Sequence, residues 1–129
     1  MSDSSSVIRA TDFNRQLFHF TEKLAVHDLV ASNIECKWGL FGSWIVEFED
    51  GQSSDRYGQA VRNGQYDVWG PKVLRILWDG RERELTISES PTPPLSGPNQ
   101  WTVLLNESVA DSASALNLAE EFAQKWQRA

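Results

Sequence analysis

The stretch "VLRILWDGRERELTI", Val73 to Ile87, sets two apolar runs on either side of an Asp-Gly step and a cluster of charged side chains. Asp-Gly between alternating apolar residues signals a hairpin, because glycine accepts the positive φ that a two-residue loop demands. With Asp79-Gly80 as that loop, Trp78 opposes Arg81, Leu77 opposes Glu82, Ile76 opposes Arg83, Arg75 opposes Glu84 and Leu74 opposes Leu85. One face of the hairpin then carries Leu74, Ile76, Trp78, Leu85 and Ile87. The other carries Arg75, Glu82, Glu84 and Thr86 around Val73 and Leu77, a solvent face with a cross-strand ion pair. Exposed pairs of this kind contribute about 0.2–1 kcal/mol, so the charge cluster reads as a wet hairpin tip rather than a site.

The same period of two recurs upstream. Ile34, Cys36 and Trp38 point one way, and Trp44, Val46 and Phe48 follow after a turn containing Gly39 and Gly42, which predicts two antiparallel strands closed by Asp50-Gly51. Before them, Phe13, Leu17, Phe20 and Leu24 recur at spacings of four, three and four. That is one face of a helix, capped by Thr11 or Asp12 and ending between His27 and Leu29.

Residues 52–71 hold an ambiguous Asn63-Gly64 step. It serves either as a hairpin turn between Val61 and Tyr66 or as the C-cap of a short helix from about Ser54. The three-and-four spacing of Tyr57, Ala60 and Val61, with Arg62 at the C-terminal end, favours the helix. Downstream, four of the five prolines fall between Ser88 and Gln100, which predicts an extended loop leaving the sheet. "WTVLLNE", Trp101 to Glu107, reads as the last strand. Asp111 or Ser112 then caps a helix with Ala115, Leu118, Ala119, Phe122 and Trp126 on one face.

This order predicts an α+β fold in which a single antiparallel sheet of about five strands packs against N-terminal and C-terminal helices. A flexible tail over 1–10 precedes a single domain over 11–129, with the Pro-rich loop at 88–100. A chain of 129 residues suffices for one core, and 40% hydrophobic with 23% charged residues is a soluble globular composition. The net charge of −6 argues against a nucleic-acid partner, which calls for Lys and Arg against phosphate, and suits a basic protein partner. Cys36 is the single cysteine, which excludes an intrachain disulfide and a multi-cysteine zinc site. The N-terminus has no leader pattern, and no run approaches the roughly 20 apolar residues of a bilayer span. The expected location is the cytoplasm, with no membrane partner.

Six tryptophans are the most unusual feature of the composition. Trp44, Trp78, Trp101 and Trp126 fall on apolar faces and are expected in the core. Trp38 and Trp69 sit beside glycines where strands end and are expected at a rim, where an indole can anchor a partner. With Tyr57, Tyr66, Glu47 and Glu49 they form the candidate binding residues; Glu47 and Glu49 project opposite Trp44 and Phe48, where acids favour a basic partner. His19 and His27, eight apart on a helix, stand about 80° apart around its axis and do not make a zinc pair. Cys36 reads as a small buried hydrophobe.

No phosphate loop, dinucleotide fingerprint or nucleophile elbow occurs, and no cofactor or metal is expected. In general character the chain is similar to toxin-immunity proteins and secretion chaperones, with no motif specific to either. The leading expectation is a non-enzymatic, acidic protein-binding module of adaptor, inhibitor or chaperone type. The alternatives are a small-molecule-binding cup with an aromatic-lined cavity and a small enzyme joining a histidine to Glu47, Glu49 or Cys36.

Overall fold

The structure, a computed structural model, describes residues 15–37, 41–65, 72–91 and 101–126. Helix α1 covers 15–25. Strands β1 (Leu29–Lys37) and β2 (Ser43–Asp50) follow, then helix α2 (Gly51–Arg62), strands β3 (Lys72–Asp79), β4 (Glu84–Pro91) and β5 (Thr102–Ser108), and helix α3 (Ser112–Lys125). The five strands lie in sequence order in one antiparallel sheet. This is the α+β arrangement expected from the sequence, with a third helix set into the connection between the adjacent strands β2 and β3.

Alternation fixes the two faces. Trp44, Val46 and Phe48 on β2 stand opposite Trp78, Ile76 and Leu74 on β3, and Leu85 and Ile87 extend the same face on β4. All eight side chains are buried. Leu17, Phe20 and Leu24 of α1 close over this inner face, with Phe20 edge-on to Phe48 at 5.8 Å between ring centroids. Helix α3 adds Ala115, Leu116, Ala119, Ala123 and the following Trp126. Its alanines let the helix lie close to the sheet, so Leu118 and Phe122, expected on the buried face, are displaced to a half-buried flank.

Indoles at the edge of the core find polar partners, as a buried N–H requires. Trp44 Nε1 donates to Ser112 Oγ at 3.0 Å and Trp126 Nε1 to Glu89 Oε2 at 2.9 Å. Lys72 joins the second contact, 3.3 Å from Glu89 and over the Trp126 ring. These bonds tie both ends of α3 to the sheet.

Three expectations are corrected. The β3–β4 loop spans four residues, so Trp78 opposes Leu85, Ile76 opposes Ile87 and Asp79 opposes Glu84. Asp79 Oδ1 accepts the backbone N–H groups of Arg81 and Glu82 at 3.0 and 3.1 Å, an Asx turn that carries the chain past Gly80. The left-handed position falls on Arg83, at φ 53. Because the shift is an even number of residues, the apolar face is unchanged.

Second, the extended Pro-rich loop does not begin at Ser88, since β4 runs on to Pro91, where proline is tolerated at a strand end. Third, Trp101 is not in the core. A bulge opposite Ile87 and Ser88 inserts an extra residue in β5, which turns Val103 and Trp101 to the outer face. A second bulge, between Ala31 and Asn33, brings Leu29 into the core and leaves Val30 outside. The helix expected near Ser54 is present and begins at Gly51, with Asn63-Gly64 as its stop and Gly64 at φ 82.

Gly80 serves close approach rather than turn conformation, since the space for a Cβ is occupied by the Phe41 carbonyl. At Gly58 the nearest atom is the tip of Arg62 at 3.7 Å. Gly58→Ala is therefore expected to raise stability by roughly 0.5–1 kcal/mol through helix propensity. Gly80→Ala is expected to lower it by roughly 1–3 kcal/mol through overpacking. Urea unfolding of both variants checks the pair.

The cap of α3 gives a pH dependence. Ser114 donates its backbone N–H to Asp111 Oδ1 at 2.8 Å, and this bond, helped by the Ser114 side chain, lowers the Asp111 pKa from its ordinary 3.8. A depressed carboxyl stabilises the fold fully above that ordinary value and loses its contribution as pH falls through the native pKa. Asp111→Asn keeps a capping acceptor without the charge, so its stability should fall less steeply than wild type below pH 3.8 in acid titrations followed by circular dichroism.

Candidate functional site

The outer face of the sheet follows from the register that defines the inner one. Val30, Asn33 and Glu35 of β1 stand beside Glu49, Glu47 and Ile45 of β2. Val73, Arg75 and Leu77 of β3 continue the face to Ser90, Ser88 and Thr86 of β4, then to Val103 and Asn106 of β5. Ile45, Glu47, Glu49, Val73, Arg75 and Leu77 are half-buried, whereas Val30 and Val103 are exposed.

At its centre is a polar array. Glu47 accepts from Asn33 Nδ2 at 3.0 Å and from Arg75 Nε at 3.1 Å. The Arg75 guanidinium lies 4.0 Å from the Trp101 ring centroid, a cation–π contact. Arg75 was expected to pair with Glu84; the four-residue loop moves Glu84 opposite Asp79, and Glu47 takes the guanidinium. Glu84 instead accepts from Asn106 at 3.0 Å.

Among the described side chains this face carries five carboxylates, Glu35, Glu47, Glu49, Asp79 and Glu84, against the one guanidinium of Arg75. Apolar Val30, Ile45, Val73, Leu77 and Val103 lie between them. The expectation that Glu47 and Glu49 project opposite Trp44 and Phe48 matches the register, and Glu47 proves to be the hub of a hydrogen-bonded array.

At the loop end of the face lies an open cavity of about 310 Å³, lined by Phe41, Ile45 and Leu77 together with Ser43, Asp79 and Arg81. Phe41 is 68% exposed and has a left-handed backbone, φ 58. For a bulky residue that conformation costs about 1–2 kcal/mol and persists only where surrounding structure enforces it. The brace is visible: the Phe41 carbonyl lies against Gly80, and Gly80 N donates to Ser43 Oγ at 2.9 Å. No sequence signal singled out Phe41, since the neighbouring Gly42 marks a turn without saying which side chain it exposes.

Of the other candidates, Tyr57 is exposed on α2, none of whose described side chains belongs to the apolar core. Trp38, Trp69 and Tyr66 lie outside the described residues. Cys36 is exposed on the edge strand β1 rather than buried. Partial desolvation pushes its thiol pKa up, the opposite of what a nucleophile needs. His19 and His27 are exposed, His19 lining a groove of about 240 Å³ that the 3.3 Å Lys23–Glu120 ion pair spans between α1 and α3. Among the described residues no three His, Cys, Asp or Glu side chains converge on a metal position, and no helix is long and apolar enough to cross a membrane. No protein-family model, curated protein or solved structure matches this chain.

The Glu47–Arg75 pair is half-buried, so its contribution lies between that of a surface pair and a hydrogen-bonded buried one. A double-mutant cycle of Glu47→Gln and Arg75→Met is expected to give a coupling energy of about 0.5–2 kcal/mol by urea unfolding. A similar cycle of Glu84→Gln and Arg75→Met should give a coupling near zero.

Proposed function

We propose that the chain is a non-enzymatic protein-binding module that docks a basic segment of another protein on the outer face of its sheet. The observation that carries this reading is the composition of that face, which among its described side chains sets five carboxylates against one guanidinium with apolar side chains among them. Carboxylates in such an array attract a cationic partner and repel acidic ones, and the apolar patches between them supply area to bury. The inner face is filled by Trp44, Phe48, Trp78 and the helices, which favours docking on the outer surface over a cup closed around a ligand. A reducing, cytoplasmic setting suits the exposed thiol of Cys36.

The test uses a fluorescein-labelled twelve-residue peptide of alternating lysine and serine, with a glutamate–serine peptide as control. Anisotropy titrations at low salt should show binding of the lysine peptide that weakens as salt is raised. Glu35→Lys combined with Glu84→Lys should reduce the affinity by roughly tenfold or more. Amide shifts on titration should cluster on β1 to β4. Shifts confined to α1 and α3, or an affinity indifferent to the charge reversals, would overturn the reading.

A further inference from the structure

The cavity at the loop end adds a requirement that charge alone does not. We infer that the docked basic segment carries one aliphatic or aromatic side chain that enters the cavity between Phe41, Ile45 and Leu77, with its cationic residues lying along the carboxylates beyond; this rests on the docking reading above.

Three observations converge on the same spot. The cavity, about 310 Å³, is at the bottom of the range for small-molecule sites and opens onto the same face as the carboxylates. Its lining is mostly apolar, with Phe41, Ile45 and Leu77 beside Trp44 and Trp78, and includes the polar Ser43, Asp79 and Arg81. An apolar centre inside a polar rim is the anatomy of an interface anchor, where one buried side chain supplies much of the binding energy and its surroundings exclude water. Finally, Phe41 is exposed in a strained left-handed conformation, held there by the Gly80 contact and by Ser43. A loop selected for stability alone would place glycine or asparagine at such a position. An aromatic ring kept there at a cost, facing solvent beside a cavity, fits a ring that becomes covered when a partner docks.

The partner chemistry follows from the surrounding charge. Ile45 and Leu77 lie two residues from Glu47 and Asp79, and Ile45 stands opposite Glu35. A side chain seated between them therefore has Asp79 within two residues in one direction, Glu47 with its partner Arg75 in the other, and Glu35 alongside. Lysine or arginine beside the anchor meets Asp79 and Glu35; aspartate or glutamate is repelled.

The experiment uses the full chain and three labelled twelve-residue peptides of equal length. One alternates lysine and serine with a central leucine, the second has serine in place of that leucine, and the third carries the central leucine among glutamates. The leucine–lysine peptide is expected to bind about tenfold tighter than the serine–lysine peptide. That advantage should vanish in Phe41→Ala, whose exposed side chain contributes nothing to the core. Methyl resonances of Ile45 and Leu77 should shift with the leucine peptide and not with the serine one, a readout that needs no variant to fold. Equal binding of the two lysine peptides, unchanged by Phe41→Ala, would overturn the anchor and leave the acidic docking face standing. A leucine advantage that survives Phe41→Ala, with methyl shifts at Leu118 instead, would also overturn it, placing the anchor on α3. Failure of both lysine peptides to bind, or equal binding of the glutamate peptide, would overturn the docking reading itself.

Discussion

The pairing of Trp44 with Trp78 across β2 and β3 is the constraint from which the rest of the architecture follows. Two indoles directly opposed at the loop end of the inner face, both almost wholly buried, leave that register little freedom, because a slip of one residue would put both in water. Phe20 of α1 lies 6.3 Å from the Trp44 ring, and Ser112 at the start of α3 takes its N–H. One side chain thus positions both covering helices. Once β2 and β3 are locked, the odd-numbered residues of both are committed to the other side, and the row of Glu47, Glu49 and Arg75 is a geometric consequence.

Much of this was legible because a period of two survives in the central strands. Trp44, Val46 and Phe48, and Leu74, Ile76 and Trp78, alternate without interruption and end on the buried face. The edge strands were less readable for a definite reason. Each carries a bulge, near Ser32 in β1 and near Leu104 in β5, and an extra residue reverses every assignment beyond it. That is why Trp101 leaves the core for Arg75, and why Val30 faces outward. Bulges at both edges also disrupt the exposed ladders against pairing with another chain. Asp79-Gly80 misled for another reason: its composition fits a two-residue turn, but the Asp79 carboxylate is engaged by two backbone N–H groups and Gly80 is needed against Phe41. The candidate site was half legible. The carboxylates of β2 could be placed on a face from alternation, whereas a strained phenylalanine leaves no mark in sequence.

Stability alone does not account for the outer face. In antiparallel sheets opposite charges across strands stabilise and like charges directly opposed do the reverse. Glu47 with Arg75 obeys that rule. Asp79 opposite Glu84 does not, and Glu35 stands opposite Ile45. The structure moderates the like-charged pair with local donors, loop N–H groups for Asp79 and Asn106 for Glu84, which satisfy hydrogen bonds without cancelling charge. This like-charged pair, held by neutral donors, sits at the same end of the sheet as the strained Phe41. Local rules of stability are broken together where a protein has another use for the residues. The coincidence of a like-charged pair and stored backbone strain around one cavity is therefore the strongest physical support for a recognition role at this end of the molecule.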